Sequence, residues 1–383
     1  MSESSKEKIT AATFSKGLEG IVAGKSKICF IDGLKGELVY RGISIDELAT
    51  NVIFEEVVYL LWYGKLPKTD ELAKLQKELA ANRNLPSQVI DFLRSVPKAA
   101  EPMDVLRTAV SYLGLFDDEL KDNSVEANWR KSVKLVAKFP TILANFHTIR
   151  KTGDYLKPDP NMTHSANFLY MMNGVEPGKT ATKTLDCALV LQADHEFNAS
   201  TFAARVTAAT LSDIYSAVTS AVGTLKGPLH GGANEAVMNM LLEIKTPSNV
   251  ESYLHRLLAE KKKIPGFGHR VYKVEDPRAK HLKKFSKQLG ETIDNLKWYK
   301  MSESMEEIMK KEKGLLPNVD FYSASTYYYL GIPIDLYTPI FAISRVAGWT
   351  AHIMEQYSDN RLIRPLSDYE GPHDVHFVPI DRR

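Results

Sequence analysis

At 383 residues, 44% hydrophobic and 25% charged, the chain has the composition of a soluble globular protein with room for two or three core-sized units. Its net charge of +2, with lysines and arginines spread along the chain, gives no case for a nucleic-acid surface, and two cysteines, Cys29 and Cys187, are too few for a disulfide framework. No apolar run approaches the ~18 residues of a membrane span, and "MSESSKEKIT" lacks the apolar core of a signal peptide, so a cytoplasmic protein without a membrane partner is expected.

The first elements are two β-prone runs, "SKICFID" and "ELVYRG", which predict a hairpin around "GLKG". Thereafter the apolar period is helical. Ser44-Ile45-Asp46-Glu47 has capping-box spacing and opens a short helix; "FEEVVYLLWYG" predicts another, stopped by Gly64 and Pro67. Pro86 and Pro97 punctuate the next helices, and "MDVLRTAVSYLG" is amphipathic. Residues 124–152 read as one long helix broken or kinked at Pro140. "PGKTATKTLDCALVLQADHE" places Pro177 near the first helical position, and "ASTFAARVTAATLSDIYSAVTSAVG" reads as one Ala-, Ser- and Thr-rich helix. Asp276-Pro277-Arg278 reads as N-cap, N1 and N2 of a helix whose stripe is Ala279, Leu282, Phe285 and Leu289. From Ser358 onward there is no sustained period, which predicts an extended tail. Strands never alternate with helices, so the fold class is mainly α with a short N-terminal β-hairpin. The glycine-rich turns "GTLKGPLHGGANE" and "KGLLPNVDFYSAS" suggest a smaller helical domain over 228–325, and a larger one made of 1–227 and 326–383.

Several residues at those boundaries could carry chemistry. His230 in "GPLHGG" stands just ahead of a helix, whose positive end favours neutral imidazole, although a plain sharp turn gives the same pattern. His269 in "PGFGH" follows two glycines that permit positive φ. Arg278 sits in a first helical turn, where a cation opposes the macrodipole and wants a negative partner. Arg345 lies among apolar neighbours in "TPIFAISRVAGWTAHI", where a lone charge costs several kcal/mol (~) unless paired, so an anion or a structural salt bridge is required. Asp320 reads either as a helix cap or as a base raised by burial. His195, between Asp194 and Glu196, raises a metal-dependent hydrolase as an alternative, but no His-x-x-x-His or Cys/His spacing accompanies it and no metal is expected. A noncatalytic helical scaffold is the remaining alternative. Together the cations, histidines and aspartate suit a cleft for a small polyanionic acid.

"GPLHGGANE", "PGFGHRVYKVEDPRAK", "NVDFYSAS" and "PIFAISRVAGWTAH", in this order, resemble the citrate synthase family, in wording closest to its short archaeal and bacterial dimeric forms, and "GLEGIVAGKSKICFIDGLKGELVYRGISIDELA" extends the resemblance over nearly the whole chain. One departure is Glu101-Pro102, where many members have His-Pro. The resemblance implies a two-domain helical fold whose small domain closes over acetyl-CoA and oxaloacetate, a homodimer, and no cofactor, the CoA thioester being a substrate. It implies Asp320 as the base that takes a methyl proton, His230 as donor to the thioester oxygen and His269 as donor to the oxaloacetate carbonyl. His195, Arg278 and Arg345 would bind oxaloacetate and citrate, and Arg364 would serve the partner subunit's site. Gly266, Phe267, Gly268 and Lys273 are the candidates for CoA. A 2-methylcitrate synthase using propionyl-CoA shares every one of these motifs, because one methyl group is worth only ~1–3 kcal/mol in a pocket.

Overall fold

The computed structural model describes residues 15–383; the run read above for a leader lies outside the described residues. Near the N-terminus, β1 (Cys29–Asp32) pairs antiparallel with β2 (Glu37–Tyr40), and β2 with a two-residue β3 (Ile43–Ser44) that the sequence pattern is too short to reveal. Helices follow: α1 (Ile45–Asn51), α2 (Phe54–Tyr63), α3 (Thr69–Ala81), α4 (Ser87–Ser95), α5 (Pro102–Gly114), α6 (Val125–Thr152), α7 (His164–Asn173) and α8 (Lys179–Gln192). The series continues with α9 (Ala199–Ala209), α10 (Ile214–Leu225), α11 (Ala233–Ile244), α12 (Val250–Ala259), α13 (Ala279–Thr292), α14 (Lys297–Lys313), α15 (Val319–Tyr329) and α16 (Tyr337–Ser358). The fold is thus mainly α with a small antiparallel sheet. Among the described residues, no helix is long and apolar enough to cross a membrane.

Local chemistry sets most of the boundaries. Ser44 caps α1 by accepting from Asp46 N rather than through a box with Glu47, and Gly64 ends α2 in the left-handed region at φ 76°. The Ala-rich run is two helices, not one. Asp213 accepts from Ser216 N at 2.9 Å and caps α10, while Leu211 turns the chain at φ 64°. Short side chains then let α9 and α10 pack closely. Conversely, α6 runs unbroken through Pro140, because its flanks are buried against α3, α4, α5, α7 and α16 and packing offsets the lost backbone bond. Pro177 falls ahead of α8, whose cap is Gly178. Arg278 is the N-cap residue of α13 rather than its second helical position: Ala279 N bonds Asp276 O at 3.0 Å, so residues 276–278 form a turn before the helix begins.

The long α16 is apolar on every side and almost wholly buried, as a central helix should be; it contacts α2, α5, α6, α8, α9, α10 and α11. A second group forms where α13 packs on α15, with α11 and α14 beside them and α12 against α14. After Ser358 the chain is extended and largely exposed, apart from a 3₁₀ turn at Ile380–Arg382.

Candidate active site

The candidate residues lie on α16, at the start of α9 and in the turns before α9, α11, α13 and α15. Asn318 caps α15 by accepting from Asp320 N at 3.0 Å, so Asp320 is the second helical residue and not the cap. With Asn318, two residues earlier, serving as the cap, the Asp320 carboxylate is spared that role and has no hydrogen-bond partner among the described residues. Gly268 N donates to Leu316 O at 3.2 Å, Asn318 N to Gly266 O at 2.9 Å, and Asn318 Nδ2 to Gly268 O at 2.9 Å. The "PGFGH" loop and the turn before Asp320 are therefore one hydrogen-bonded unit. Gly266 and Gly268 both have positive φ, as their motif suggested.

Arg278 finds its anion in the chain itself. Its Nε donates to Asp276 Oδ1 at 2.9 Å and its terminal NH2 nitrogen to Asp276 Oδ2 at 2.8 Å, in a bidentate pair with both side chains buried. Asp276 also accepts from Arg278 N at 3.1 Å and Val319 N at 3.0 Å, and so joins the starts of α13 and α15. Burial alone would raise this carboxyl; Arg278 more than offsets that, and it is held below the usual carboxylate range. The other terminal nitrogen of Arg278 has no partner among the described residues. Arg345, 1% exposed, donates through Nε to Gln192 O at 2.7 Å and lies over the Phe341 ring, and no carboxylate pairs with it among the described residues. A buried guanidinium without an ion-pair partner is what an anionic ligand would complete.

The histidines are neutral donors. His269 Nδ1 accepts from Val271 N at 3.0 Å and Tyr272 N at 3.2 Å, which leaves the proton on Nε2. Burial, then Arg278, lowers its pKa to about 4. For His230 the polarity is reversed: Ser200 N, in the first turn of α9, donates to Nε2 at 3.3 Å, with the Ser200 hydroxyl 2.9 Å from the same nitrogen, and the backbone donor assigns the proton to Nδ1. Burial, then Arg345, brings its pKa to about 4 as well. The helix end that feels this ring is thus that of α9 as much as the α11 start anticipated from sequence. His195 is buried, with Nε2 3.2 Å from the Tyr272 hydroxyl and its ring 5.3 Å from that of His269. Its pKa is pushed down by burial first and then by Arg278, His269, Arg345 and His230, an environment that holds four of the sequence candidates around one ring. Asp320 is partly buried; desolvation raises it to about 6, against the opposing pull of Arg278 and Arg345. A carboxyl poised near neutrality beside neutral donors and buried cations can move a proton from carbon and hold a polyanion.

Of the sequence candidates, His195, His230, His269, Arg278, Arg345 and Asp320 converge. Lys273 is exposed at the rim of a small cavity, about 60 Å³, lined also by Gly268, His269 and Leu315. Arg364 does not join them: it is exposed in the extended tail. Sequence reasoning passed over Tyr272 and gave Asp276 only a capping role. Asp194, raised with His195 as a metal site, is instead turned away, with Oδ2 3.1 Å from His352 Nε2. Among the described residues no group of three or more His, Cys, Asp or Glu is placed to hold a metal ion. Glu101 is the exposed N-cap residue of α5, followed by Pro102 in the first turn.

The family model described as citrate synthase, C-terminal domain, matches residues 17–366. A citrate synthase of Haloferax volcanii is 52% identical over 96% of this chain and 98% of its own length. A 2-methylcitrate synthase of Corynebacterium glutamicum is 42% identical over 96% and 98% respectively. Among solved structures, the ternary complex of Thermoplasma acidophilum citrate synthase with carboxymethyl coenzyme A and oxaloacetate has a TM-score of 0.90 at 35% identity, covering 96% of this chain and 99% of that one.

Proposed function

The chain belongs to the citrate synthase family, and from that premise we propose that it condenses acetyl-CoA with oxaloacetate and hydrolyses the citryl-CoA so formed to citrate and CoA. The observation that carries this reading is Asp320, a carboxyl raised to about 6 near the buried guanidinium groups of Arg278 and Arg345, in a site where backbone amides hold His230 and His269 as neutral rings. Asp320 takes a proton from the methyl carbon of acetyl-CoA. His230 Nδ1–H donates to the thioester oxygen as negative charge gathers there. The nucleophilic carbon attacks the keto carbon of oxaloacetate, whose oxygen becomes the citryl hydroxyl by taking the proton of His269 Nε2; the proton that Asp320 took from the methyl group returns through solvent to His269, so both residues regain their starting states. Water then adds to the thioester carbonyl and the carbon–sulfur bond breaks, CoA leaving as the thiol with one proton of that water and the new carboxyl group of citrate releasing the other to solvent. Donors fixed before the reaction stabilise developing charge without having to reorganise. The free edges of Arg278 and Arg345, with His195, hold the substrate carboxylates.

CoA is assigned to the loop Gly266, Phe267 and Gly268 with Lys273, on the cavity beside His269. The working unit is a homodimer, each site completed by Arg364 of the partner subunit. Closure brings 228–325 over the body formed by 1–227 and 326–383, and desolvates Asp320 further. The steps use only side-chain acid–base chemistry and no cofactor. A cytoplasmic location goes with two unpaired, buried cysteines.

The test is CoA release by the purified protein with oxaloacetate and either acetyl-CoA or propionyl-CoA. Faster turnover of acetyl-CoA is expected. Preference for propionyl-CoA would make it a 2-methylcitrate synthase, and no release with either would overturn the reading.

A further inference from the structure

The turn joining β1 to β2 is pressed against the loop that carries His269. Gly33 O accepts from Lys273 N at 2.8 Å. A Cβ on Gly33 would lie 2.3 Å from Val271 O and 2.9 Å from Val271 C, and one on Gly36 would lie 2.9 Å from Glu275 O. These are backbone atoms, so no rotamer change relieves the overlap. The tip is preformed: Asp32 Oδ1 accepts from Leu34 N and Lys35 N, both at 3.0 Å, and the strands below it are in register, Asp32 opposite Glu37. A second tie lies on the same side, where Asp46 of α1 accepts from Lys280 Nζ and His281 Nε2 of α13, each at 2.7 Å.

The residues gripped by the hairpin are the ones that aim the catalytic ring. Val271 presents its carbonyl to Gly33 and its amide to His269 Nδ1, and Tyr272, which also holds Nδ1, sits between Val271 and the Lys273 amide bonded to Gly33. Gly266 and Gly268, both at positive φ, precede His269, and hydrogen bonds to Leu316 and Asn318 tie that side of the loop to the turn before Asp320. On the other side of His269, residues 271–273 are held by the hairpin tip, through the Lys273 N–Gly33 O bond and the Val271 backbone packed on Gly33.

We propose that the Asp32–Gly36 tip is a positioning element for the condensation, with Gly33 fixing residues 271–273 and through them the aim of His269 Nε2–H. This rests on the reading of His269 as a donor given above. Gly33→Ala must push the loop away, and misplacement by about 1 Å costs on the order of 100-fold in rate.

The experiment is a cycle of kcat measurements on the full-length enzyme: Gly33→Ala, His269→Ala and the double variant, with Gly42→Ala as control. Gly42 lies in the turn before β3 at φ 90° with nothing within 4 Å of its Cβ, so its replacement strains the same sheet without touching the loop. Gly33→Ala is expected to lower kcat about 10- to 100-fold, Gly42→Ala to keep it, and Gly33→Ala to change the His269→Ala enzyme by less than about twofold, because both act through one ring. An unchanged kcat in folded Gly33→Ala, or an equal loss in both backgrounds, overturns the proposal. If Gly33→Ala does not fold, Asp32→Ala, which loosens the tip without adding atoms, is put through the same cycle with the same criteria. Wild-type turnover by His269→Ala would remove the donor reading and this inference together, an outcome separate from a failed cycle.

Discussion

His230 accepts at Nε2 from the Ser200 amide, while His269 accepts at Nδ1 from the Val271 amide, so the two catalytic imidazoles are held in opposite tautomers. Each backbone donor fixes which nitrogen keeps its proton, and thus which edge of the ring faces the reacting atoms. Both rings are also far too weakly basic to be charged at neutral pH, with pKa values of about 4.

This crossed arrangement predicts a crossed mutational pattern. The amide NH2 of asparagine stands near the place of Nδ1, and that of glutamine near Nε2. His230→Asn should therefore retain more kcat than His230→Gln, whereas His269→Gln should retain more than His269→Asn. The alanine variants at both positions should lose about 10²–10³-fold. Steady-state kinetics on the six variants checks this, and the reverse order at either position would mean the tautomer there is wrong.

Asp320→Asn should inactivate and stabilise at once. Loss of the general base is expected to cost about 10²–10⁴-fold in kcat. The folded-state pKa of Asp320, about 6, lies above its value in an unfolded chain. Native protein thus holds this proton more tightly between about pH 4 and 6, and the stability contribution declines as pH rises through that window. Above pH 6 the ionised carboxylate costs its full amount, about 2 kcal/mol after allowance for its partial exposure to the cleft. Thermal unfolding at pH 8 should therefore give a higher Tm for Asp320→Asn than for wild type. A lower Tm would show the carboxylate to be part of the structure rather than a strained base.

The same shift sets the pH profile. The acid limb of kcat/KM should fall with an apparent pKa near 6 as Asp320 is protonated, and Asp320→Asn should lose that limb. Stability moves the other way below it. The folded-state pKa values of His230 and His269 are depressed, so their contribution is present above about pH 6.5 and lost as pH falls toward 4. An acid limb unchanged in the residual activity of Asp320→Asn would assign it to another group.

The converging residues were legible in the sequence one at a time because each broke a local rule. Arg345 put a charge on an apolar helix, and His230 and His269 sat in glycine-bounded turns. Their partners were not legible. The bidentate Asp276–Arg278 pair is two residues apart in sequence, yet Asp276 looked like an ordinary cap, and only its bond to Val319 N, 43 residues away, shows it joining two helix starts. Tyr272 carried no signal because its role depends on where His195 arrives. Helix ends with a clear stop such as Gly64 were readable. The division between α9 and α10 was not, since the alanines, serines and threonines that favour close packing mask the Asp213 cap.

Gly348 on α16 predicts a positional requirement of its own. A Cβ there would lie 2.4 Å from Ala193 O and 2.6 Å from Asp194 Oδ1. The turn it abuts is clamped on its other side by the Tyr40 hydroxyl, which donates to Asp194 O at 2.9 Å and accepts from Asp194 N at 3.2 Å. With no room to retreat, Gly348→Ala should displace His195 and cost about 1–3 kcal/mol of stability. Oxaloacetate KM should rise more than acetyl-CoA KM, because His195 serves the dicarboxylate. Equal changes in both would point to general loosening instead.

The tail tests whether the site is shared. Arg364 is exposed, as are Leu362, Leu366, Tyr369 and Phe377 along the same extended segment, which departs directly from the buried α16 that carries Arg345. An extended run of mixed polar and apolar residues that leaves Leu362, Leu366, Tyr369 and Phe377 exposed has few anchors on its own subunit and calls for a surface to lie on. If that surface is the neighbouring subunit, Arg364 is delivered to a site that its own chain does not supply. Arg364→Ala should then raise the oxaloacetate KM, since one charge-assisted contact to a carboxylate is lost. Mixing Arg364→Ala subunits with Asp320→Asn subunits gives the decisive result. With a crossing arginine, the heterodimer has one site carrying both defects and one carrying neither, so activity should return toward half of the wild-type value per heterodimer. With an arginine that serves its own subunit, every site keeps one defect and nothing is regained. Subunit exchange is confirmed by mass on differently tagged chains, and an exchanged but inactive mixture rejects the shared site.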